Sequence, residues 1–330
     1  GTTGINLTLG TDVGWAGRLT YGADWYHDEV EAWKYRLFDN GTVQGRTPQF
    51  PDDAYYERVA GFLQWEVDLT ERLLAVTGVR YTNIDTGATV ANFDTSDPQF
   101  PNVDPIQTPF NDNFQDWTAS VGLTYKLTPC LHLVGTVAEG FRAPNLDELT
   151  TVSDNVFDDG VDLPTTGLGP EQSISYEIGT KLNYDRLRGQ IFYFWNDLSG
   201  LSQRVLVRSV GGVDYFRREN VGSAVVQGFE LAGEYLLTTR WSVYGNFWTI
   251  YGQNLTDNEP LRRIPPSQGV LGLRWRDRQA RNWFELYSWM VAKQDRLSPG
   301  DIRDSRIPDG GTPGYGIVSA RVGTYIGPHQ

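Results

Sequence analysis

Residues 131–144, LHLVGTVAEGFRAP, and residues 170–182, PEQSISYEIGTKL, decide how this chain is read. In the first segment Leu131, Leu133, Gly135 and Val137 share one side of a two-residue alternation. In the second, Ile174, Tyr176, Ile178 and Leu182 do the same, with Ser175, Glu177 and Lys181 opposite. A period of two separates the two faces of a β-sheet. The spacing predicts one strand from Leu131 to Phe141, broken at Arg142-Ala143-Pro144, and a second from Ser173 to Lys181. The loop between them is about 27 residues, far longer than a hairpin needs.

The same alternation recurs along the chain. Trp15, Gly17, Leu19, Tyr21, Ala23 and Trp25 face one way, and Ala16, Arg18, Thr20, Gly22, Asp24 and Tyr26 the other. An apolar face that begins and ends with Trp suits a strand crossing a lipid layer, because indole rings settle at both interfaces. Similar runs over 59–69, 73–81, 117–125, 187–195, 225–236, 241–251, 269–275, 283–291 and 315–325 bring the expected total to about 13 to 14 antiparallel strands. Short turns are expected near 12–14, 70–72, 126–130, 183–186, 238–240 and 276–280. Long loops are expected near 28–53, 84–113, 142–172, 197–223, 253–268 and 292–313. Strict alternation of short and long connections is the pattern of a transmembrane β-barrel, with short periplasmic turns and long extracellular loops.

No run of 18 apolar residues is present, which excludes a transmembrane helix and leaves barrel strands untouched by the test. The formal charge of −13 argues against a nucleic-acid partner. A single Cys130 excludes an internal disulfide framework, and His27, His132 and His329 are too scattered to suggest a zinc site. No nucleophile elbow, HExxH or P-loop motif occurs, so the chain does not read as an enzyme. Inward-phase acids such as Glu66, Asp68, Glu177, Glu230, Glu234 and Glu285 read as the lining of a water-filled lumen. The chemistry is expected in the long loops. Arg142, Asp147, Glu148, Asp158 and Asp159 in one, and Arg296, Asp301 and Arg303 in another, are the candidate ligand-binding residues. Guanidinium forks fit carboxylates and phosphates, and clustered carboxylates in these acidic loops are of the kind that takes Ca²⁺. No other cofactor is expected.

Phe141-Arg142-Ala143-Pro144, followed by a long loop and Pro170-Glu171-Gln172-Ser173-Ile174-Ser175-Tyr176-Glu177-Ile178-Gly179-Thr180-Lys181, resembles the TonB-dependent outer-membrane receptors. Residues 220–235, NVGSAVVQGFELAGEY, and the Arg262-Arg263-Ile264-Pro265-Pro266 box are similar to that family as well. The resemblance implies that residues 1–330 are an incomplete receptor barrel. It implies import of a scarce small-molecule ligand across the outer membrane, powered by TonB through an N-terminal plug domain. Neither a signal peptide nor a plug is read in residues 1–330, and the turn-like 327–330 reads as the approach to a further strand. Haem receptors of the family place a His after the FRAP-type box, and residues 143–170 contain none; a siderophore–iron complex, a corrinoid or an oligosaccharide stays open. A passive porin-like barrel and a soluble β-rich binding protein are the alternatives.

Overall fold

The computed structural model describes residues 1–39, 41–46, 50–92, 94–95, 97, 106–155, 160–220 and 222–325. Thirteen strands form one continuous meander: β1 (Thr2–Asp12), β2 (Arg18–Val30), β3 (Ala54–Thr70), β4 (Leu73–Asn92), β5 (Ile106–Lys126), β6 (Leu131–Arg142), β7 (Glu171–Tyr184), β8 (Leu187–Ser199), β9 (Ser223–Leu236), β10 (Trp241–Asn254), β11 (Gln268–Arg276), β12 (Asn282–Val291) and β13 (Tyr315–Thr324). Each pairs antiparallel with its sequence neighbour, and Glu259–Pro260 adds a short flap on β10. Among the described residues no ladder joins β1 to β13, so the sheet is open along both edges.

One face of the wall is apolar and exposed. Leu9, Tyr21, Leu63 and Val79 stand side by side across four strands, and Val121, Val137 and Tyr176 across three more. A monomer in water rarely shows so much contiguous apolar surface; a lipid-facing barrel wall must. Two hollows on this face, about 640 and 580 Å³, are shallow grooves between such side chains. Leu231, Phe247, Leu271 and Met290 line the first; Leu123, Leu133, Ile178, Ile191 and Phe229 line the second. They are places for acyl chains rather than for a polar ligand.

The apolar band ends in a hydrogen-bonded girdle. Trp25 Nε1 donates to Glu57 (3.0 Å), Tyr81 Oη to Gln115 (2.7 Å), Tyr193 Oη to Gln227 (2.6 Å), Trp195 Nε1 to Asp197 (2.7 Å) and Tyr251 Oη to Gln253 (3.1 Å). In every case the acceptor lies toward the long-loop end of the wall. At the opposite end Trp65 Nε1 donates to Ala16 O. Aromatic rings with one polar tip settle at both edges of a hydrocarbon layer for this reason.

Three of the short turns share one device. Thr70, Thr128 and Thr238 each follow a Leu, and each hydroxyl accepts from the backbone N–H groups two and three residues on: Arg72 and Leu73, Cys130 and Leu131, Arg240 and Trp241. The recurring Leu-Thr-x-x thus caps the hairpin by satisfying donors that the ladder leaves over.

Two expectations need correction. The loop expected at 84–113 is mostly strand, since β4 runs to Asn92 and β5 starts at Ile106. Polar residues on the outer face (Asn83, Asp85, Thr89) disguised the alternation, whereas Ile84, Thr86, Ala88 and Val90 on the inner face are buried. The long connections also carry structure of their own: a hairpin of Lys34–Leu37 with Val43–Arg46, and a four-stranded loop sheet of Ser202–Val210, Val213–Asn220, Gly160–Asp162 and Ser153–Asn155. The loop expected at 197–223 thus holds a hairpin over 202–220.

Candidate ligand-facing wall and its lid

The inner face is not uniform. Toward the long loops of β3–β5 it is apolar because something covers it. The segment after β6 folds into a short helix, α1 (Leu146–Thr150), whose Asn145 and Glu148 form a reciprocal cap: Asn145 Oδ1 accepts from Glu148 N (2.9 Å) and Glu148 Oε2 from Asn145 N (3.1 Å). Leu149 is wholly buried against Ala54, Ala88, Val90, Phe110 and Leu168. Burial of one such side chain contributes about 1.5–3 kcal/mol, which is substantial for a five-residue helix that could not persist alone. Leu163 N–H and Thr165 N–H then tie the segment to Phe216 O and Leu149 O.

Arg142 locks the base of this lid. Its guanidinium donates to both oxygens of Glu148 (2.8 and 3.0 Å) and reaches both oxygens of Glu171 (2.9 and 2.6 Å). Glu171 also accepts from Ser202 N (2.9 Å), so the start of β7, the lid and the 202–220 hairpin meet at one point. A bidentate fork between two carboxylates is geometrically specific and strong for its exposure. Asp147 accepts from Thr151 Oγ1 (2.7 Å). Asp158 and Asp159 lie outside the described residues.

Below the lid the wall carries a cationic group that the sequence reading did not single out. Asp24 is 6% exposed and sits between Arg80 (2.7 Å) and Arg58 (3.4 Å). The Arg58 guanidinium also stacks over the Tyr26 ring at 4.8 Å. Two guanidiniums against one carboxylate leave one net positive charge on the inner face of an acidic chain, and Asp24 Oδ1 and Arg58 Nε have no hydrogen-bond partner among the described residues. Such a group can receive an anionic or strongly accepting ligand atom. The sequence signal is limited to the inward phase of Arg58 and Arg80 on their strands, which lumen lining shares; the register of β2, β3 and β4 is what gathers them at Asp24.

The second set of expected residues belongs to another pair of loops. Asp301 lies in a short helix, α2 (Pro299–Arg303), and Asp301 and Ser298 form its reciprocal cap. Asp301 also accepts from Arg263 N (3.2 Å), and Arg306 (2.6 Å), Arg263 (3.4 Å) and Arg262 (3.6 Å) converge on buried Asp304. The Arg306 hydrogen bond, followed by its backbone N–H and the neighbouring guanidiniums, outweighs burial and holds the Asp304 carboxyl well below the usual carboxylate range. Arg296 donates to Gly252 O (2.6 Å) and to Gln253, and stacks over Tyr251 at 3.9 Å; Arg303 is exposed at the end of α2. Arg142 and Glu148 are therefore brought together directly, Arg296 and Asp301 tie the loop after β12 to the end of β10 and the loop after it, and Arg303 stands exposed beside them. Among the described residues no three His, Cys, Asp or Glu side chains gather as a metal site.

Nearer the short turns the inner face holds a charge ladder. Glu234 and Arg274 (3.3 Å), Arg274 and Glu285, and Glu285 and Arg321 (2.7 Å) alternate in sign across β9, β11, β12 and β13. Tyr244 and Tyr287 lie beneath the two guanidiniums at 4.4 and 4.8 Å. Of the inward acids expected as lumen lining, Glu234 and Glu285 sit here.

An open antiparallel wall with an exposed apolar face, a polar interior and folded long loops defines a piece of an outer-membrane-type barrel. The chain belongs to the TonB dependent receptor-like, beta-barrel family, whose model matches residues 1–327. It is 25% identical over 253 residues to the ferric enterobactin receptor of Pseudomonas aeruginosa, covering 68% of this chain and 30% of that protein. It is 24% identical over 296 residues to the heme/hemopexin utilization protein C of Haemophilus influenzae, covering 82% and 38%. In structure it is similar to the copper transporter OprC, with a TM-score of 0.78 at 19% identity over 99% of this chain and 48% of that one. The chain thus spans less than half the length of these relatives.

Proposed function

We propose that this chain is the barrel part of an outer-membrane receptor that actively imports a scarce ligand, coupled through a plug domain to TonB, and that the ligand is an anionic metal chelate of the siderophore type. The observation that carries the ligand class is the Asp24–Arg58–Arg80 group on the inner wall, with Tyr26 stacked against it, beneath a lid hinged on Arg142. Guanidiniums and tyrosines held in a sheltered site bind anionic chelates well, because charge-assisted hydrogen bonds are roughly twice as strong as neutral ones. Relatives include receptors named for siderophores, and residues 143–170 lack the His that a haem receptor would use.

The test is uptake of radiolabelled ferric siderophores by cells whose only receptor of this class carries this barrel. Arg80→Ala is expected to weaken ligand binding roughly ten- to a hundredfold, the value of one to two charge-assisted hydrogen bonds. Unchanged binding and uptake in an Arg58→Ala, Arg80→Ala double variant would remove the assignment.

A further inference from the structure

We propose that the outer face of β1–β5, just beyond the aromatic girdle, is a binding surface for the saccharide headgroup of an outer-leaflet glycolipid. The register places Thr3, His27, Glu57, Asp85 and Asn113 in one row across five strands, and Ile5, Trp25, Val59, Asn83 and Gln115 in the row below it. Both rows are in phase with Leu7, Tyr21, Leu63, Val79 and Trp117, so they look outward with the lipid-facing band. A strand tilted by about 40° climbs roughly 2.5 Å per residue, so an apolar band of about 25 Å takes about ten strand residues; Trp25, whose Nε1 donates to Glu57, marks its upper edge on β2. His27 then stands about 5 Å beyond the girdle. Carboxylates here cannot face hydrocarbon without a large cost, which puts Glu57 and Asp85 in the headgroup layer.

The groups in that layer are pre-set. The His27 ring is stacked between Trp25 (6.2 Å between centroids, 10° between planes) and Tyr55 (6.4 Å, 19°). Glu57 is held from both sides, by Trp25 Nε1 on one oxygen (3.0 Å) and His27 Nδ1 on the other (3.2 Å). Asn113 Nδ2 donates to Asn83 (3.0 Å) and Asp85 (2.6 Å), and Asn83 Nδ2 to Asp85 (2.8 Å). Tyr55 Oη donates to Asn111 (3.1 Å) across Gly87, where a Cβ would lie 2.4 Å from Asn111 Oδ1 and 2.8 Å from the Tyr55 ring. Only glycine permits that crossing. Side chain–side chain bonds are the minority class in proteins, and a connected set on a membrane-facing surface serves no core.

Rigid rings beside fixed carboxylates and amides are what sugar hydroxyls and apolar sugar faces require. No Lys or Arg occupies these register positions, so a phosphate-only headgroup finds no cation there. The patch is continuous with the lipid-facing wall, which makes a membrane glycolipid, rather than a soluble sugar, the occupant. The inference shares with the proposed function only the outer-membrane placement.

Native mass spectrometry of the receptor in mild detergent, titrated with a rough lipopolysaccharide or with phosphatidylglycerol, tests it. Lipopolysaccharide is expected to bind the wild type, and Glu57→Gln with Asp85→Asn to weaken that binding about tenfold or more. Phosphatidylglycerol binding should be the same in both, and siderophore uptake should be unaffected. Gly87→Ala, which leaves the carboxylates in place and disturbs Tyr55 and Asn111, should weaken lipopolysaccharide in the same direction. Equal binding by wild type and both variants would overturn the proposal. So would binding that vanishes when divalent cations are chelated, or deacylated core saccharide binding as tightly as the lipid.

Discussion

On β3, Leu63 and Gln64 are neighbours in sequence and opposites in setting. Leu63 stands in an exposed apolar row with Tyr21 and Val79, while Gln64 looks inward in phase with Arg58 and Glu66. In a water-soluble sheet the apolar side would be the buried one. Here the apolar side has no protein against it, and the polar side encloses the site. The difference shows that the wall is built for two solvents, and that the apolar clusters protein buries lie where α1 and its loop press on β3–β5.

The largest effect should come from breaking that exception. Leu149→Ala removes the fully buried anchor of the lid and should destabilise it by about 2–5 kcal/mol. Hydrogen exchange over residues 146–152 and 160–168 would show it as lost protection, with the wall strands unchanged. Exchange identical to wild type would mean that the lid is held by Arg142 alone.

A pair of substitutions tests the two faces directly. Leu63→Arg puts a charge into the lipid-facing row and should cost about 2–4 kcal/mol in refolding into bilayers. Gln64→Arg, one residue away, should change stability by less than about 0.5 kcal/mol. Equal costs would contradict the assignment of faces.

The second loop pair sharpens the contrast with the lid, because it rests on charge rather than on apolar burial. Its carboxyl, Asp304, has a folded pKa below its unfolded value. The sign follows: its contribution is fully present above the unfolded value, about 3.9, and is lost as pH falls through the lower folded value. Limited proteolysis of 292–313 should therefore be unchanged from neutral pH down to about 4 and rise only in stronger acid. Asp304→Asn should be cut readily already at neutral pH. Faster cutting of the wild type between pH 6 and 5 would place the controlling group elsewhere.

The smallest effect is expected at the short turns. Thr128→Ala removes two hydrogen bonds to backbone N–H groups and should cost about 0.5–1.5 kcal/mol, since water can replace part of the loss. Urea titration in bilayers would resolve it against Thr128→Ser, which keeps the acceptor.

The wall was legible because its signal is local. Strands β6 and β7 begin and end within three residues of the expected bounds, since each side chain reports its own face every second residue. The loops were legible only as loops. Asn145, Glu148 and Leu149 read as a polar segment, yet they form a capped helix whose stability comes from Ala54, Ala88 and Val90, far away in sequence. Arg296 and Asp301 stood out as charges in a long loop; their partners Gly252 and Gln253 lie at the end of β10, and Arg263 in the connection after it. Arg58 and Arg80 went unremarked because each is one charged residue at an inward position, and only the meander brings both to Asp24.

From the sequence alone came the barrel class, the phase of most strands, the alternation of short and long connections and the family. All of these follow from a period of two and from motifs contiguous in the chain. The tertiary structure decided which loops fold into a lid, which charges meet, and where on the outer face polarity resumes beyond the girdle. Those depend on register between strands and on contacts across tens of residues, which no local pattern encodes.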